Sequence, residues 1–250
     1  MQTVLSLGRI FFALGIIGIG IQQFVIADFV PVILPSFPSW LPLRPLWVWA
    51  IGAFLIFTGA AILFRCGATL AATILGSALL ASLMLSHIPG QLAGSPRILG
   101  SWTNAFKILT LAGGAFVIAG SISDGKSGFV RKSFVAFGSV ALAITCVVFG
   151  IDHFLYVQYV APLVPAWIPG HVFWTYFCGA ALIAAGVGMI TRILPHLAAG
   201  LLGSMIFVWL IVLHIPRAIA DPHSGHGNEI TSVFEALAFS GIAFILALKR

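Results

Sequence analysis

The chain has 250 residues, of which 60% are hydrophobic and only 7% are charged, and its mean hydropathy is +1.13. Soluble domains carry about a quarter charged residues, so this composition excludes a soluble globular class and indicates an integral membrane protein. The net charge of +6 comes without a basic cluster, so topology signals or anionic lipid headgroups explain it better than a nucleic-acid partner.

Eight apolar segments of about 18–22 residues are long enough to cross ~30 Å of hydrocarbon as α-helices. Their predicted bounds are 3–26, 46–64, 68–88, 103–121, 132–152, 171–190, 194–214 and 230–248. We therefore predict an all-α integral membrane protein with eight transmembrane helices. No small-residue cleavage site follows the first segment, and its counterpart in the second copy is internal, so we expect it to stay as a helix.

The eight segments are two copies of one unit. The sequence LMLSHIP at 83–89 recurs as LIVLHIP at 210–216, and glycines elsewhere match at nearly constant offsets. Four spans per copy is an even number, so both copies enter the membrane from the same side. We predict two parallel four-helix repeats, 1–122 and 132–250, joined by a cytoplasmic linker at 123–131.

Each histidine phrase carries a proline two residues after its histidine, Pro89 or Pro216. Proline has no N–H and clashes with the preceding turn, so it fits poorly inside a helix. We therefore expect spans 3 and 7 to end at these phrases.

The two ends of the bundle differ in charge and in loop length. Most basic residues, among them Arg65, Lys126, Arg131, Lys132, Arg192, Lys249 and Arg250, fall at one end. The positive-inside rule places that end and both termini in the cytoplasm, which predicts a bacterial inner membrane. The outer end carries the long connections, with every acidic residue except Asp124 and every histidine except His196. We expect any chemistry at this outer face.

Two of the outer connections are apolar but broken by prolines. They share a Val-Pro or Ala-Pro start and a later Trp-x-Pro, at 30–42 and 161–169. Tryptophan prefers the headgroup depth of a bilayer. We expect both segments to lie at the interface as short lids over the helix ends.

Four segments of the second copy carry a family resemblance: GIDHF at 150–154, VPAWIPG at 164–170, LHIPR at 213–217 and TSVFEAL at 231–237. In them the chain resembles the DoxX-like family of small bacterial and archaeal membrane proteins, best over 132–250. The resemblance implies a four-helix membrane unit. The family is named after membrane subunits of quinone-coupled sulfur oxidation, which implies a place in a redox system, although most members have no assigned reaction.

His87 and His214 close the repeated phrases at the outer rim, one in each copy. Two facing imidazoles could ligate a haem iron or help to hold a metal. Each could instead bond a lipid headgroup or a quinone carbonyl, or cap its helix by bonding the last free carbonyls. We favour the cap or another polar contact, and we favour haem least.

Asp152 and His153 end span 5 where the first copy has Gln22 and Gln23, so the first copy drops the charge. This asymmetry predicts one working site, in the second copy, with Asp152 orienting His153. A purely structural polar network is the alternative. The predicted ligand-binding residues are His153, His214, Arg217, Glu235, Asp152 and His87.

Two further pairs of residues have specific interpretations. Lys107 and Glu235 occupy matching positions with opposite charge, which predicts an ion pair linking the copies. His223 and His226 form a His-x-x-His in a glycine-rich loop with nearby carboxylates, a candidate zinc or copper site. Incidental metal affinity is the alternative for that loop, and we favour it.

Other chemistry is disfavoured by what the spans contain. Cys66, Cys146 and Cys178 show no C-x-x-C spacing, so dithiol–disulfide chemistry lacks its parts and buried structural cysteine is the preferred interpretation. The span centres hold no relay of ionisable residues, as a proton pump or ion-coupled transporter would need.

The sequence therefore predicts a quinone- or lipid-interacting subunit of a membrane redox system, with its polar site at the outer face. Its expected partners are membrane lipids, a quinone and other membrane protein subunits, and whether it is an enzyme stays open. In a quinone site, histidine and arginine would bond the ring oxygens and a carboxylate could exchange protons. The alternative is a non-catalytic structural or accessory subunit of a larger complex, and a carrier of small apolar solutes has less support.

Overall fold

A computed structural model describes residues 2–35, 42–122 and 128–248. Within these ranges the chain is almost entirely helical, contains no β-strand, and has eight helices long and apolar enough to cross a membrane. It is an all-α integral membrane protein, as predicted. The helices are α1 (Gln2–Ile26), α2 (Arg44–Phe64), α3 (Ala68–Ala93), α4 (Thr103–Ser121), α5 (Gly128–Leu155), α6 (His171–Thr191), α7 (Pro195–Ala220) and α8 (Asn228–Leu248).

Several predicted boundaries differ from the structure. Helix α5 begins at Gly128, so the last four residues of the predicted linker 123–131 are helical. The first five linker residues, 123–127, lie outside the described residues, as do Lys249, Arg250 and the Trp40 of the first proline-rich segment.

The helices form a closed ring, and two opposite members of this ring, α4 and α8, divide it in two. Each helix packs against the next along the chain, and α8 returns to pack along α1. Helices α4 and α8 also contact each other, and they are the most buried of the eight. They divide the molecule into a first half, made of α1, α2 and α3, and a second half, made of α5, α6 and α7. The first helix of each repeat thus packs on the last helix of the other repeat.

Two of these helix seams close on matching glycine pairs. A Cβ on Gly8 of α1 would lie 2.6 Å from the carbonyl oxygen of Gly241 on α8. Gly138 on α5 meets Gly113 on α4 in the same way. In the register of the two sequence copies, Gly8 corresponds to Gly138 and Gly113 to Gly241. Small residues allow this close approach of membrane helices, and their repetition supports the predicted repeat.

We expect Gly138→Ala to destabilise the protein by about 1–3 kcal/mol, because the added methyl group overlaps the Gly113 backbone and the two helices must separate. Gly90→Ala is the control, since a Cβ there meets nothing within 4 Å. That change should be neutral or slightly stabilising. Thermal unfolding in detergent measures both variants, and a wild-type melting temperature for G138A would show that this seam is not tightly packed.

The first histidine phrase is a π-helical turn inside α3. Residues Leu83–His87 form the turn, and the N–H of Ile88 donates to the carbonyl oxygen five residues earlier. The wider turn starts a new α-helical segment in which Pro89 occupies the first turn, where a missing N–H costs little. The helix continues to Ala93, so the prediction that the proline ends it is wrong.

Helix α7 repeats this geometry. Its π-turn is Leu210–His214, Pro216 opens the following segment, and the helix continues to Ala220. Neither histidine lies at a helix C-terminus, so the capping role is also wrong, and another polar contact stays a prediction. Single π-turns inside α-helices occur frequently at functional sites. The repeated π-turn therefore makes the region around these two histidines a candidate functional site.

The longer connections lie at one end of the bundle, called here the long-loop end; their described residues are 27–35, 42–43, 94–102, 156–170 and 221–227. At this end Asp28 and Arg44 form an ion pair of 2.6 Å, and both side chains are more than one-third exposed. Burial alone would raise the pKa of Asp28, but hydrogen bonds from Arg44 and from the N–H of Phe29 hold it below its usual value. The pair ties the start of the first connection to the start of α2.

We expect Asp28→Asn to lower the melting temperature slightly near neutral pH and less so in acid. A carboxyl whose folded pKa is depressed stabilises the fold above its unfolded pKa, and this contribution is lost as the pH falls through the folded pKa. Because the pair is exposed, the effect is small. Melting curves from about pH 7 to about pH 3 measure it. A gap between wild type and D28N that widens on acidification would contradict the assignment.

Candidate functional site

A partly open cavity of ≈390 Å³ lies in the second half, bordered by α5, α6 and α7 and by the central helices α4 and α8. Its volume is within the range of about 300–1,000 Å³ usual for small-molecule sites. Its wall is mostly apolar and includes four aromatic side chains, Phe149, Trp174, Trp209 and Phe239. The charged and hydroxyl-bearing residues that line it, with both imidazoles, are Thr103, Lys107, Thr145, Asp152, His153, Thr175, His214, Ser232 and Glu235.

Helix periodicity explains which residues face the cavity. On α5 the lining residues recur three or four positions apart, which places them on one face of the helix. They are Leu142, Thr145, Cys146, Phe149, Asp152 and His153. The apolar members come first along the chain, and the ionisable members close the helix at the long-loop end. The cavity therefore has an apolar body and a polar end.

At three positions of the cavity wall the second copy carries a smaller side chain than the first. In the register of the two copies, three isoleucines of the first half are exchanged: Ile16 for Cys146, Ile51 for Cys178 and Ile108 for Ala236. Ile16 and Ile108 are fully buried in the core. Each of these exchanges removes methyl or methylene groups and adds space at the wall, whereas Trp209 is larger than its counterpart Ser82.

The proline-rich connections also differ between the halves. After α1, the side chains of Val30, Val32 and Ile33 are buried in the core, and the hydroxyl of Ser82 donates to the carbonyl oxygen of Ile33 at 2.6 Å. After α5, Val160, Leu163 and Val164 contribute to the cavity lining instead. The first segment therefore fills space between the helices with buried side chains, in addition to the predicted role of a lid. The second segment borders an open space.

Three buried polar atoms around the cavity have no hydrogen-bond partner among the described residues. They are Asp152 Oδ1, His214 Nδ1 and Glu235 Oε1. Buried polar groups in proteins almost always have a partner, because leaving one unpaired costs free energy. Four other buried atoms away from the cavity, Ser86 Oγ, both ring nitrogens of His87 and Thr110 Oγ1, also lack a partner among the described residues. The three atoms at the cavity therefore show unused hydrogen-bonding capacity at its wall.

The ring of His153 is oriented by its own helix. Its Nδ1 lies 2.7 Å from the carbonyl oxygen of Phe149, one turn earlier. A carbonyl only accepts, so Nδ1 carries the proton and Nε2 of the neutral ring is left as an acceptor. The prediction that Asp152 orients His153 is wrong, because the partner of Nδ1 is the Phe149 carbonyl oxygen.

The predicted ion pair is confirmed. Lys107 Nζ on α4 lies 2.7 Å from Glu235 Oε2 on α8, and the two side chains are 14% and 3% exposed. The pair joins the two central helices at the polar end of the cavity. Since its second carboxylate oxygen is unpartnered, Glu235 both pairs with the lysine and faces the cavity.

Two predicted site residues lie elsewhere. Arg217 does not line the cavity, because its guanidinium binds both carboxylate oxygens of Glu229, at 3.0 and 2.6 Å. His87 is buried in the first half, beside the backbone of Val32 and Ile33. It is not part of the cavity lining, so the structure does not bring the two π-turn histidines together at one site.

The candidate metal loop is at the long-loop end. His223 and His226 are both exposed there. In the described part of the chain, no three His, Cys, Asp or Glu side chains come together as a group that could hold a metal ion. The metal site stays a prediction.

Five lining residues are not predicted as site residues. The sequence predicts buried structural cysteines at Cys146 and Cys178 and assigns no ligand role to Thr145, Thr175 and Trp209, but all five line the cavity. The available signal was the comparison of the two copies, since both cysteines replace isoleucines.

Comparisons of the chain with protein-family models, with curated proteins and with solved structures find no match. The resemblance to the DoxX-like family therefore stays a prediction from sequence motifs. The site is defined by its own geometry: an apolar, aromatic-walled cavity with unpartnered polar atoms at the long-loop end.

Proposed function

We propose that the second half binds an apolar ring compound of the membrane, of the isoprenoid quinone class, and that the protein is a DoxX-like membrane subunit of a redox system. The observation that carries this proposal is the set of three unpartnered buried atoms at the polar end of an apolar cavity. A ligand with oxygen atoms on a ring and an apolar tail satisfies both parts of the cavity.

The wall of the cavity suits a flat ring. Trp174 and Trp209 meet edge to face, with centroids 6.4 Å apart, and Phe149 lies on the neighbouring helix. Aromatic side chains stack on or pack edge-on against such rings. In this arrangement the N–H of His214 donates to one ring oxygen, the ring lies beside His153, and a carboxylate of the site exchanges protons with the ligand.

The orientation of the protein belongs to this proposal. Arg65, Arg131, Lys132 and Arg192 lie at the end opposite the long-loop end. The positive-inside rule then puts both termini in the cytoplasm and the polar end of the cavity at the outer face of a bacterial inner membrane. Membrane lipids and other membrane subunits are its proposed partners.

Quinone titration tests the proposal directly. Decylubiquinone added to the purified protein in mild detergent should quench tryptophan fluorescence, because Trp174 and Trp209 line the cavity. The variant H153A/H214A should bind about two- to tenfold more weakly, since loss of the His214 hydrogen bond costs about 0.5–1.5 kcal/mol. H196A is the control, because His196 contacts the carbonyl oxygen of Leu246 at the other end of α7. Unchanged affinity in H153A/H214A would rule the proposal out.

A further inference from the structure

Every hydroxyl group that lines the cavity already donates its proton to a backbone carbonyl oxygen. The bonds are Thr103 to Gly100 at 2.6 Å, Thr145 to Phe106 at 3.1 Å, Thr175 to His171 at 2.9 Å and Ser232 to Asn228 at 2.9 Å. A hydroxyl has one proton, so each of these groups offers only its lone pairs to a ligand.

Three more lining groups present acceptors. His153 keeps Nε2 for the ligand, because Nδ1 donates to its own helix. Glu235 Oε1 and Asp152 Oδ1 are buried oxygens without a partner among the described residues. The donors are the N–H of His214 and the N–H bonds of Lys107 that Glu235 does not take. The indole N–H groups of Trp174 and Trp209 are donors as well, the latter hydrogen-bonded to Cys178. A ligand that only accepts can pair with these donors but leaves the buried oxygens unpaired.

We infer that the site selects a ligand that donates hydrogen bonds, namely the hydroquinone form of the quinone class, over the oxidised form. This inference rests on the proposed function and specifies its ligand. A quinone carbonyl only accepts, so it would leave the acceptors of the cavity unpaired, whereas the two hydroxyl groups of a hydroquinone can pair with them. A site built to bond a hydroxyl strongly rejects an analogue that lacks one.

The preference has a thermodynamic consequence for the bound couple. A site that binds the reduced form more tightly makes reduction of the bound ring easier. Each tenfold difference in affinity raises the potential of a two-electron couple by about 30 mV. The protein would thus hold the reduced product of a quinone-reducing partner, or store it for a quinol-oxidising one.

Three ligands with the same ring and decyl tail test the inference: the quinol, the quinone and the quinol with both hydroxyl groups converted to methyl ethers. Calorimetric titration under anaerobic conditions should show the quinol binding at least tenfold more tightly than either of the others. The ether is the matched control, because it has the tail and reduced ring of the quinol but no donor.

The outcomes separate the inference from the proposed function. Equal affinities, or tighter binding of the quinone, would overturn the donor preference and leave quinone binding in place. Binding of none of the three would overturn both. The variant Ala236→Ile must also lose the quinol, because its side chain fills the cavity. Wild-type quinol affinity in A236I would place the bound ligand outside the cavity and overturn the inference.

Discussion

Lys107→Met is expected to destabilise the protein by about 3–5 kcal/mol, the usual cost of removing one partner from a buried ion pair. The carboxylate of Glu235 is 3% exposed, so without the ammonium group it would remain charged and unpaired between the two central helices. Loss of the attraction is the smaller part of this cost. The larger part is the desolvated charge that stays behind.

The double variant K107M/E235L should recover most of the lost stability, since apolar residues in place of a whole buried pair are often neutral or stabilising. Arg44→Met is the matched control. Its ion pair with Asp28 has a similar length, 2.6 Å, but is exposed, so its loss should cost about 0–1 kcal/mol. Equilibrium unfolding in detergent measures all three. A K107M variant as stable as R44M would contradict the buried pair.

Ala236→Ile is expected to abolish ligand binding while the protein stays folded. This change puts into the second half the residue that the first half has at Ile108, and the new side chain extends into a cavity that Ala236 lines. Cys178→Ile, which copies Ile51, should act in the same way. The cavity gives these side chains room, so the melting temperature should not fall.

The reverse exchange is the control. Ile108→Ala should open a cavity in the filled first half and cost about 2–5 kcal/mol, because Ile108 is fully buried and its neighbours relax only partly. It should leave ligand binding unchanged. Quinol titration and thermal unfolding measure both variants. Full binding by A236I together with a stable I108A variant would show that the two halves do not differ as described.

The sequence predicts the fold well because long apolar runs bounded by charges leave few alternatives to membrane-spanning helices. It also predicts the Lys107–Glu235 pair, since one repeat position carries opposite charges in the two copies. It fails at Pro89 and Pro216. A π-turn before each proline depends on one extra residue per turn, which no apolar pattern records.

The partners of individual charges were less predictable. Helix α8 carries two carboxylates near its start, Glu229 and Glu235, and the sequence does not say which of them Arg217 meets. In the structure Arg217 pairs with Glu229, whereas Glu235 pairs with Lys107 and borders the cavity. Similarly, the sequence favours the neighbouring Asp152 as the partner of His153, but the ring Nδ1 bonds the carbonyl oxygen of Phe149.

No single residue of the sequence indicates that the cavity is present. Cys146, Cys178 and Ala236 are ordinary apolar residues when each is considered alone. They border one space because three helices place them around the same volume. A comparison of the copies indicates these three positions, where the first half has isoleucines, but not the cavity, since other lining residues such as Trp209 are larger than their counterparts.

Identifying what the purified protein carries tests whether the second half holds a membrane-soluble ring compound. Wild type and A236I, prepared in mild detergent, are extracted with acidified organic solvent and the extracts analysed by mass spectrometry. We expect a near-stoichiometric quinone or quinol from wild type and none from A236I. Phospholipid alone in both extracts would contradict this expectation and would favour a structural subunit with no ligand in its cavity.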